Sequence, residues 1–481
     1  MAEALEALQR ENRWLRAENR RLRAENRALR AENERLVRRV TALEARVTEL
    51  TQLLEEARRA GKRQAAPFSR GEPTEDPKPP GRPPGHPGSY RMAPLPVDET
   101  IHVPLPCCPH CGGPVEERRE HEQFVTDLPP VRPQVRRYVT ESGYCPHCRR
   151  RVRSRHPDQI SRAAGAAGSQ LGPHLIALAA ALKHGFGVPY RKVAGVLFAH
   201  FGVRVTAGAL VLAEQRLAGR AEPAYQALVL TVRQSPVVNV DETGWRIGGQ
   251  GAWLWVFCTP QVTIYAIRQS RGADVVQELL GVHFAGVLTS DCFLAYDPFE
   301  GVKQKCFAHL LRTCSEIEAL KTRGAVRFPR AVAALLRQAL ALKVQKGELP
   351  APRYAARVRR LEARLDRLLA GRYTDPDNCR LANRLRKQRR HLFTFLFHDE
   401  VEATNNRAER QIRPAVVVRK ISAGSRTEAG AHTHEVLTSL LATFHLHGCT
   451  FVSWAVALLR GQRGSWPKGL GRLPPLRVGI V

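Results

Sequence analysis

VVNVDETGWRI (237–247) opens the β-rich part of the chain. Its β-branched residues and short length suit a strand rather than a helix. Four further runs follow: GAWLWVFC (251–258), VTIYAIRQS (262–270), GVLTSD (286–291) and the segment around KQKCFAH (303–309). Together they read as successive strands of one sheet. Two acids sit at strand edges, Asp241 directly after VVNV and Asp291 directly after GVLTS. A third, Glu409, lies in TNNRAERQIRP (404–414), where Thr404 is placed to cap a short helix and Pro414 to end or kink it. Cleavage of a phosphodiester by two metals needs acidic oxygens that hold two Mg²⁺ ions about 4 Å apart, one activating the nucleophile and one stabilising the leaving oxygen. Spacing alone does not select these three acids, because an isolated Asp at a strand edge is more often a turn residue. Glu242 and Asp297 are nearby rivals, read as surface or supporting carboxylates. Cys306 and His309 lack a partner pair and read as a buried passage from strand to helix, without zinc.

Downstream of these strands, residues 321–390 turn helical in pattern and carry 20 Lys plus Arg against 5 Asp plus Glu, a balance of +15. The whole chain has a formal charge of +30, so half of it lies in this segment. One sign dominating this strongly points to a phosphate backbone, against the blander reading of a solvated helix face. Upstream, 185–217 reads as two short helices around a turn at Gly202, with Thr206 capping the second. A helix-turn-helix and a plain packing role both fit, since TAGALVLAEQRL offers few side chains for base edges.

Cys108-Pro109-His110-Cys111 and Cys145-Pro146-His147-Cys148 are two identical knuckles separated by 33 residues, enough for a small sheet between them. Four thiolates in paired C-x-x-C turns suit structural, tetrahedral Zn²⁺. Cys107, His110 and His147 are spare donors, and a redox role is the minor alternative. The Pro/Gly-rich, basic stretch GRPPGHPG (81–88) belongs to a linker.

At the N-terminal end, Leu8, Leu15, Leu22, Leu29, Leu36, Leu43 and Leu50 recur every seven residues. With these at d, the a positions hold Asn12, Asn19, Asn26 and Asn33, then Val40 and Val47. Glu11, Glu18 and Glu25 at g face Arg16, Arg23 and Arg30 at e of a parallel partner. Buried Asn pairs and complementary charges favour a two-stranded, in-register homodimer over a single solvated helix. No apolar run approaches the roughly 18 residues that span a bilayer, and MAEALEALQREN places charges where a secretory signal has its apolar core. Eleven cysteines, an odd count scattered through a long chain, argue for a reducing compartment. The expectation is a cytoplasmic protein, associated with the nucleoid when bound to DNA, with no membrane partner.

The strings DETGW at Asp241, SDCFLAY around Asp291, CFAHLLR from Cys306 and NNRAERQIRP around Glu409 resemble those of bacterial insertion-sequence sixty-six transposases. The likeness extends to the GRPPGHPG linker and the paired knuckles, and so covers most of the chain. It implies a DDE-type transposase with an RNase H-like core, in which Asp241, Asp291 and Glu409 are the catalytic acids and the ligands of two Mg²⁺ (or Mn²⁺) ions. Separations of 50 and 118 residues then place the basic helical segment as an insertion before the glutamate-bearing helix. One departure is Thr404, where the family often has Asp before the paired asparagines. Arg410, Arg413, Arg419 and Lys420 are placed to hold the scissile phosphate or flanking DNA.

The expected fold class is multidomain α+β. A parallel coiled coil (1–60), with Leu15, Leu22, Leu29, Leu36, Asn19 and Asn26 in its seam, leads by a linker (61–96) to a zinc-ribbon-like module (97–160). A helical DNA-binding region (161–235) precedes the first part of the core (236–320), the insertion (321–391), the second part of the core (392–446) and a C-terminal helix and tail (447–481). Expected partners are transposon-end and target DNA, a second copy of the chain or a larger assembly, and companion proteins of the same element. The rival readings are a dimeric zinc-containing DNA-binding protein without catalysis, and an RNase H-like nuclease that cuts without joining.

Overall fold

The computed structural model describes residues 2–60, 96–128, 131–156, 159, 170–468 and 470. The linker motif GRPPGHPG falls outside the described residues. The chain divides into two compact units, 1–75 and 76–481.

The described residues of the first unit form one helix, α1 (Ala2–Ala60). Its sequence is rich in Ala, Leu, Glu and Arg, all strong helix formers. Local charge pairs such as Glu18–Arg21 at 2.9 Å and Arg46–Glu49 at 2.6 Å reinforce it. All seven heptad leucines are at least half exposed in the single chain.

In the second unit a hairpin of β1 (Ser142–Cys145) and β2 (Arg150–Arg153) frames the Cys145–Cys148 knuckle. The small sheet therefore straddles the second knuckle, and among the described residues no strand lies between Cys111 and Ser142.

The central sheet has the order β5-β4-β3-β6-β7. Its strands are β3 (Val237–Ile247), β4 (Gln250–Cys258), β5 (Thr263–Arg268), β6 (Val287–Ser290) and β7 (Lys303–Lys305). The first three form an antiparallel meander, and β6 and β7 continue the sheet parallel to β3. Gly248 and Gly249, both at positive φ, make the tight β3–β4 turn.

Alternation along β3 divides the core. Val238 and Val240 face one side, packed against α4 (Ala207–Arg233), α5 (Ala273–Leu280), α12 (Glu428–Leu446) and α13 (Phe451–Leu459). Trp245 and Ile247 face the other, under Ala408, Ile412, Ala415 and Val418 of α11 (Asn406–Ser422). Sheet and helices on both faces make a mixed α/β core.

The helices before the sheet belong to this packing. These are α2 (Pro173–Ala180), a π-turn (Ala181–Gly185), α3 (Tyr190–Phe201) and α4. Gly202 ends α3 in the left-handed region, and the Thr206 hydroxyl accepts from the Ala209 N–H at 3.2 Å, as expected. The second helix is not short, however: α4 runs 27 residues to Arg233, because Leu210, Leu217, Leu228 and Val232 keep one face buried. Wholly buried Glu214 on α4 accepts from the Tyr190 hydroxyl at 2.7 Å and contacts His184 Nε2 at 2.9 Å. His184 Nδ1 meets His434 Nδ1 of α12 at 3.0 Å, and the His434 ring stacks on Trp245. This polar chain ties the helical region to the sheet.

Between β7 and α11 lie α6 (Phe307–Leu320), α7 (Arg327–Val344), α8 (Ala351–Ala370), α9 (Pro376–Gln388) and α10 (Thr394–Phe397). Their apolar stripes, including Leu335, Leu336, Val358, Leu365 and Leu385, form a second core that also takes in Val237 of β3 and Val287 of β6. The arginines stand opposite, with Arg353, Arg357, Arg359, Arg360 and Arg367 of α8 all exposed.

Candidate active site

Asp241 and Asp291 are brought together by strand register. The parallel pairing of β3 with β6 matches Val237 with Val287, Val238 with Leu288 and Asn239 with Thr289, an offset of 50 residues. Continued for two residues, the same offset sets Asp241 opposite Asp291. Residues in one row of a sheet point to the same face. That face is the one α11 covers, and α11 carries Glu409 in its first turn.

The electrostatics agree with this crowding. Burial first, and then the negative charges of Glu242, Asp291 and Glu409, together hold the Asp241 carboxyl up at about 7, against one opposing hydrogen bond from the Glu242 N–H. Anions held this close repel unless a cation or proton joins them.

Neighbouring side chains hold each acid in place. Glu242 is not a surface carboxylate: it accepts from Arg271 at 2.7 Å and from the Tyr296 hydroxyl, and its side chain is almost wholly buried. Arg271 in turn lies over the rings of Trp253 and Phe293. Asp291 Oδ1 accepts from the Phe293 N–H at 2.8 Å. Buried Lys305 donates to the Asp291 carbonyl at 2.8 Å and to Ser290 Oγ at 3.0 Å, fixing the strand end. Asp297 is turned away, accepting from Gln388 and pairing with Lys387 of α9 at 2.7 Å.

Asn405, not Thr404, precedes α11 as its cap residue, and its side chain does not bond the helix. Instead Asn405 Nδ2 donates to the Val240 carbonyl at 2.7 Å, while its Oδ1 accepts from Asn239 Nδ2 at 3.0 Å. Its backbone N–H donates to Cys306 Sγ at 3.1 Å. One wholly buried residue thus joins the strand of Asp241 to the helix of Glu409. Pro414 does not end that helix, which continues to Ser422 on the strength of the inward Ala415 and Val418.

Glu409 has further company. His309 Nδ1 lies 3.5 Å from Glu409 Oε1, and Cys306 Sγ completes a group of donor atoms within 4.8 Å of one another. Cys306 is the buried residue that starts α6, so the strand-to-helix reading holds, but the chain supplies Glu409 as the missing third donor. The Cys-x-x-His spacing across a helix start is the signal in the sequence that both side chains share one turn.

Of the basic residues on α11, Arg410 and Arg413 are exposed. Arg419 turns inward, donating to Thr243 Oγ1 at 2.8 Å and the Gly244 carbonyl at 2.6 Å, which clamps α11 to β3. Lys420 is partly covered.

At the knuckles, the Cys108 N–H donates to the Gly113 carbonyl at 2.9 Å and the Gly112 N–H to the Cys108 carbonyl at 2.8 Å. Backbone donors lower the Cys108 thiol, His110 first and then Cys111, and Cys148 does the same for Cys145. Each pair closes on itself, but among the described residues the two pairs are not gathered into one group of donors.

A mixed sheet thus presents two acids toward a helix that carries a third. The chain matches the family model described as Transposase IS66 family over residues 168–433, more than half its length, and belongs to that family. It is also similar to two proteins of Sinorhizobium fredii, each named only as an uncharacterized protein. The first, y4qI, is 25% identical over 61% of this chain and 60% of its own length. The second, y4jD, is 24% identical over 75% of this chain and 76% of its own length. No helix among the described residues is long and apolar enough to cross a membrane.

Proposed function

We propose that the chain is a DNA transposase that cuts at transposon ends and joins the freed strand to target DNA, using Asp241, Asp291 and Glu409. The observation that carries this reading is the common register of Asp241 in β3 and Asp291 just past the end of the parallel strand β6, beneath the helix of Glu409. A protein that only bound DNA has no use for a carboxyl that burial, with three further acids beside it, raises to about 7. The meander followed by two parallel strands supports an RNase H-like core.

The donor set fits Mg²⁺ or Mn²⁺, because carboxylate oxygens suit hard cations. Bound between Asp241, Asp291 and Glu409, two such ions would lower the pKa of an attacking hydroxyl and neutralise the leaving oxygen. Asp241 must lose its proton to take part, and the Glu242 charge, anchored by Arg271 and Tyr296, keeps that proton easy to restore. Asn405 and Lys305 hold the acids in register. In the first step water attacks phosphorus and the P–O3′ bond breaks, leaving a 5′ phosphate and a free 3′ hydroxyl. That hydroxyl then attacks a target phosphodiester, whose own 3′ oxygen leaves.

DNA contact is assigned to exposed Arg410 and Arg413 and to the basic face of α8. The leucine seam of α1 pairs two chains in parallel, presenting two such sites to two ends. Cys108, Cys111, Cys145 and Cys148 take structural Zn²⁺, the support being two matched C-x-x-C turns in each of which backbone donors lower the first thiol, Cys108 and Cys145.

The test incubates purified protein and Mg²⁺ with labelled transposon-end DNA and a target plasmid, beside Asp291→Ala. Metal-dependent nicking and joined product from the wild type, both absent in the variant, are expected. Nicking without joined product would leave a nuclease. Equal nicking by the variant would remove the acids from the mechanism.

A further inference from the structure

Two polar atoms without hydrogen-bond partners face each other beside the third acid. Glu409 Oε1 and His309 Nδ1 are both closed off from solvent, and they stand 3.5 Å apart. Buried polar atoms are rarely left unpaired, and each such atom asks for an explanation. Cys306 Sγ joins the same two side chains in one group whose ligand atoms, one from each residue, lie within 4.8 Å of one another. The three side chains come from two helix starts: Cys306 and His309 from the first turn of α6, Glu409 from the first turn of α11.

The separation has a metric meaning. Nitrogen and carboxylate oxygen bound to one tetrahedral ion, with bonds near 2.1 Å, stand about 3.4 Å from each other. The observed 3.5 Å is that spacing, too long for a hydrogen bond in good geometry and right for two ligands of one ion. Cys306 Sγ already accepts the Asn405 N–H at 3.1 Å, the outer contact that settles a thiolate on a metal.

We propose that Cys306, His309 and Glu409 form a binding site for a divalent transition-metal ion of the Zn²⁺ and Mn²⁺ class, with an outward position left for water or a phosphate oxygen. A mixed sulfur, nitrogen and oxygen set disfavours Mg²⁺, which prefers all-oxygen surroundings. Glu409 then connects two unlike centres, the all-oxygen pair of Asp241 and Asp291 and the mixed site of α6. The inference shares Glu409 with the proposed active site but requires nothing of its chemistry.

The test is pulsed electron paramagnetic resonance on the full chain loaded with Mn²⁺, read for coupling to an imidazole nitrogen. Wild type and Asp291→Ala are expected to show the coupling. His309→Ala and the bulkier control His309→Gln lose it and bind that ion at least about tenfold more weakly, with melting curves checking the fold. Loading with Co²⁺ adds a sulfur reading: the thiolate-to-cobalt absorption falls in Cys306→Ser relative to wild type, while the knuckle contribution stays. An ion pair of His309 with Glu409 and no metal gives neither signal. No nitrogen coupling in wild type, coupling that survives in both His309 variants, or an unchanged cobalt band in Cys306→Ser overturns the proposal. Because these are binding readouts, nitrogen coupling in a protein that never cuts DNA supports this site while sinking the catalytic reading.

Discussion

Asp241 and Asp291 stand in register: 50 residues separate them in sequence, and 50 is also the offset by which β3 pairs with β6. The sheet therefore places the two carboxylates side by side on the face that α11 covers. Their mutual repulsion, with that of Glu242 and Glu409, is part of what raises the Asp241 carboxyl to about 7 after burial has acted.

The first prediction concerns pH. An unfolded aspartate titrates near 4, so between about 4 and 7 the folded chain holds a proton that the unfolded chain has released. Ionising Asp241 thus costs the metal-free fold stability, starting as pH rises above about 4 and complete above about 7. Asp241→Asn is expected to melt higher than wild type at pH 8 without metal, and level with it at pH 3.5. Mg²⁺ competes with the same proton, so its apparent affinity rises by up to about tenfold per pH unit below 7 and then levels off. Calorimetric titration across pH checks both signs.

Removing the neighbouring charge moves that curve. Glu242 is the largest cause of the raised Asp241 carboxyl after burial. In Glu242→Gln the pH at which Mg²⁺ affinity levels off shifts downward. An unmoved plateau would mean that the Glu242 charge does not act on Asp241.

Asn405 holds the third acid to the first. Asn405→Ala leaves the Val240 carbonyl and the Asn239 amide without their buried partner. A loss of about 2–4 kcal/mol in denaturant unfolding is expected. Substitution of Thr404, which supplies no cap, costs far less.

How much of this was legible in the sequence depends on distance along the chain. The five strands could be read because β-branched runs carry their own pattern; Asp291 falls just past the end of β6 as expected, whereas Asp241 lies inside β3, which runs on to Ile247 instead of ending at the acid. Glu409 came into view only with the motifs around it, since a 118-residue separation hides a contact made by packing α11 on β3. Cys306 and His309 have no partner in the local sequence, because that partner lies about 100 residues on, across the helices between α6 and α11. Helix ends misled where burial outweighed local signals: Pro414 lies inside α11, and α4 runs on past Leu217 to Arg233. Arg419 read as a DNA contact, but its guanidinium is taken up by Thr243 and Gly244.

The seam of α1 makes a prediction about assembly. Leu22→Glu with Leu29→Glu puts charges into the apolar row and is expected to convert a dimer into monomers in sedimentation equilibrium at micromolar concentration. Unchanged mass would show that the seam does not pair chains.

The most direct measurement of the central claim exchanges one ligand for sulfur. Asp291→Cys is expected to lose at least about a thousandfold in end cleavage with Mg²⁺, equivalent to roughly 4 kcal/mol of barrier. Mn²⁺ or Cd²⁺, which accept thiolate, should restore much of it. Cleavage by Asp291→Cys at the wild-type rate in Mg²⁺ would contradict the claim that Asp291 holds a catalytic metal ion.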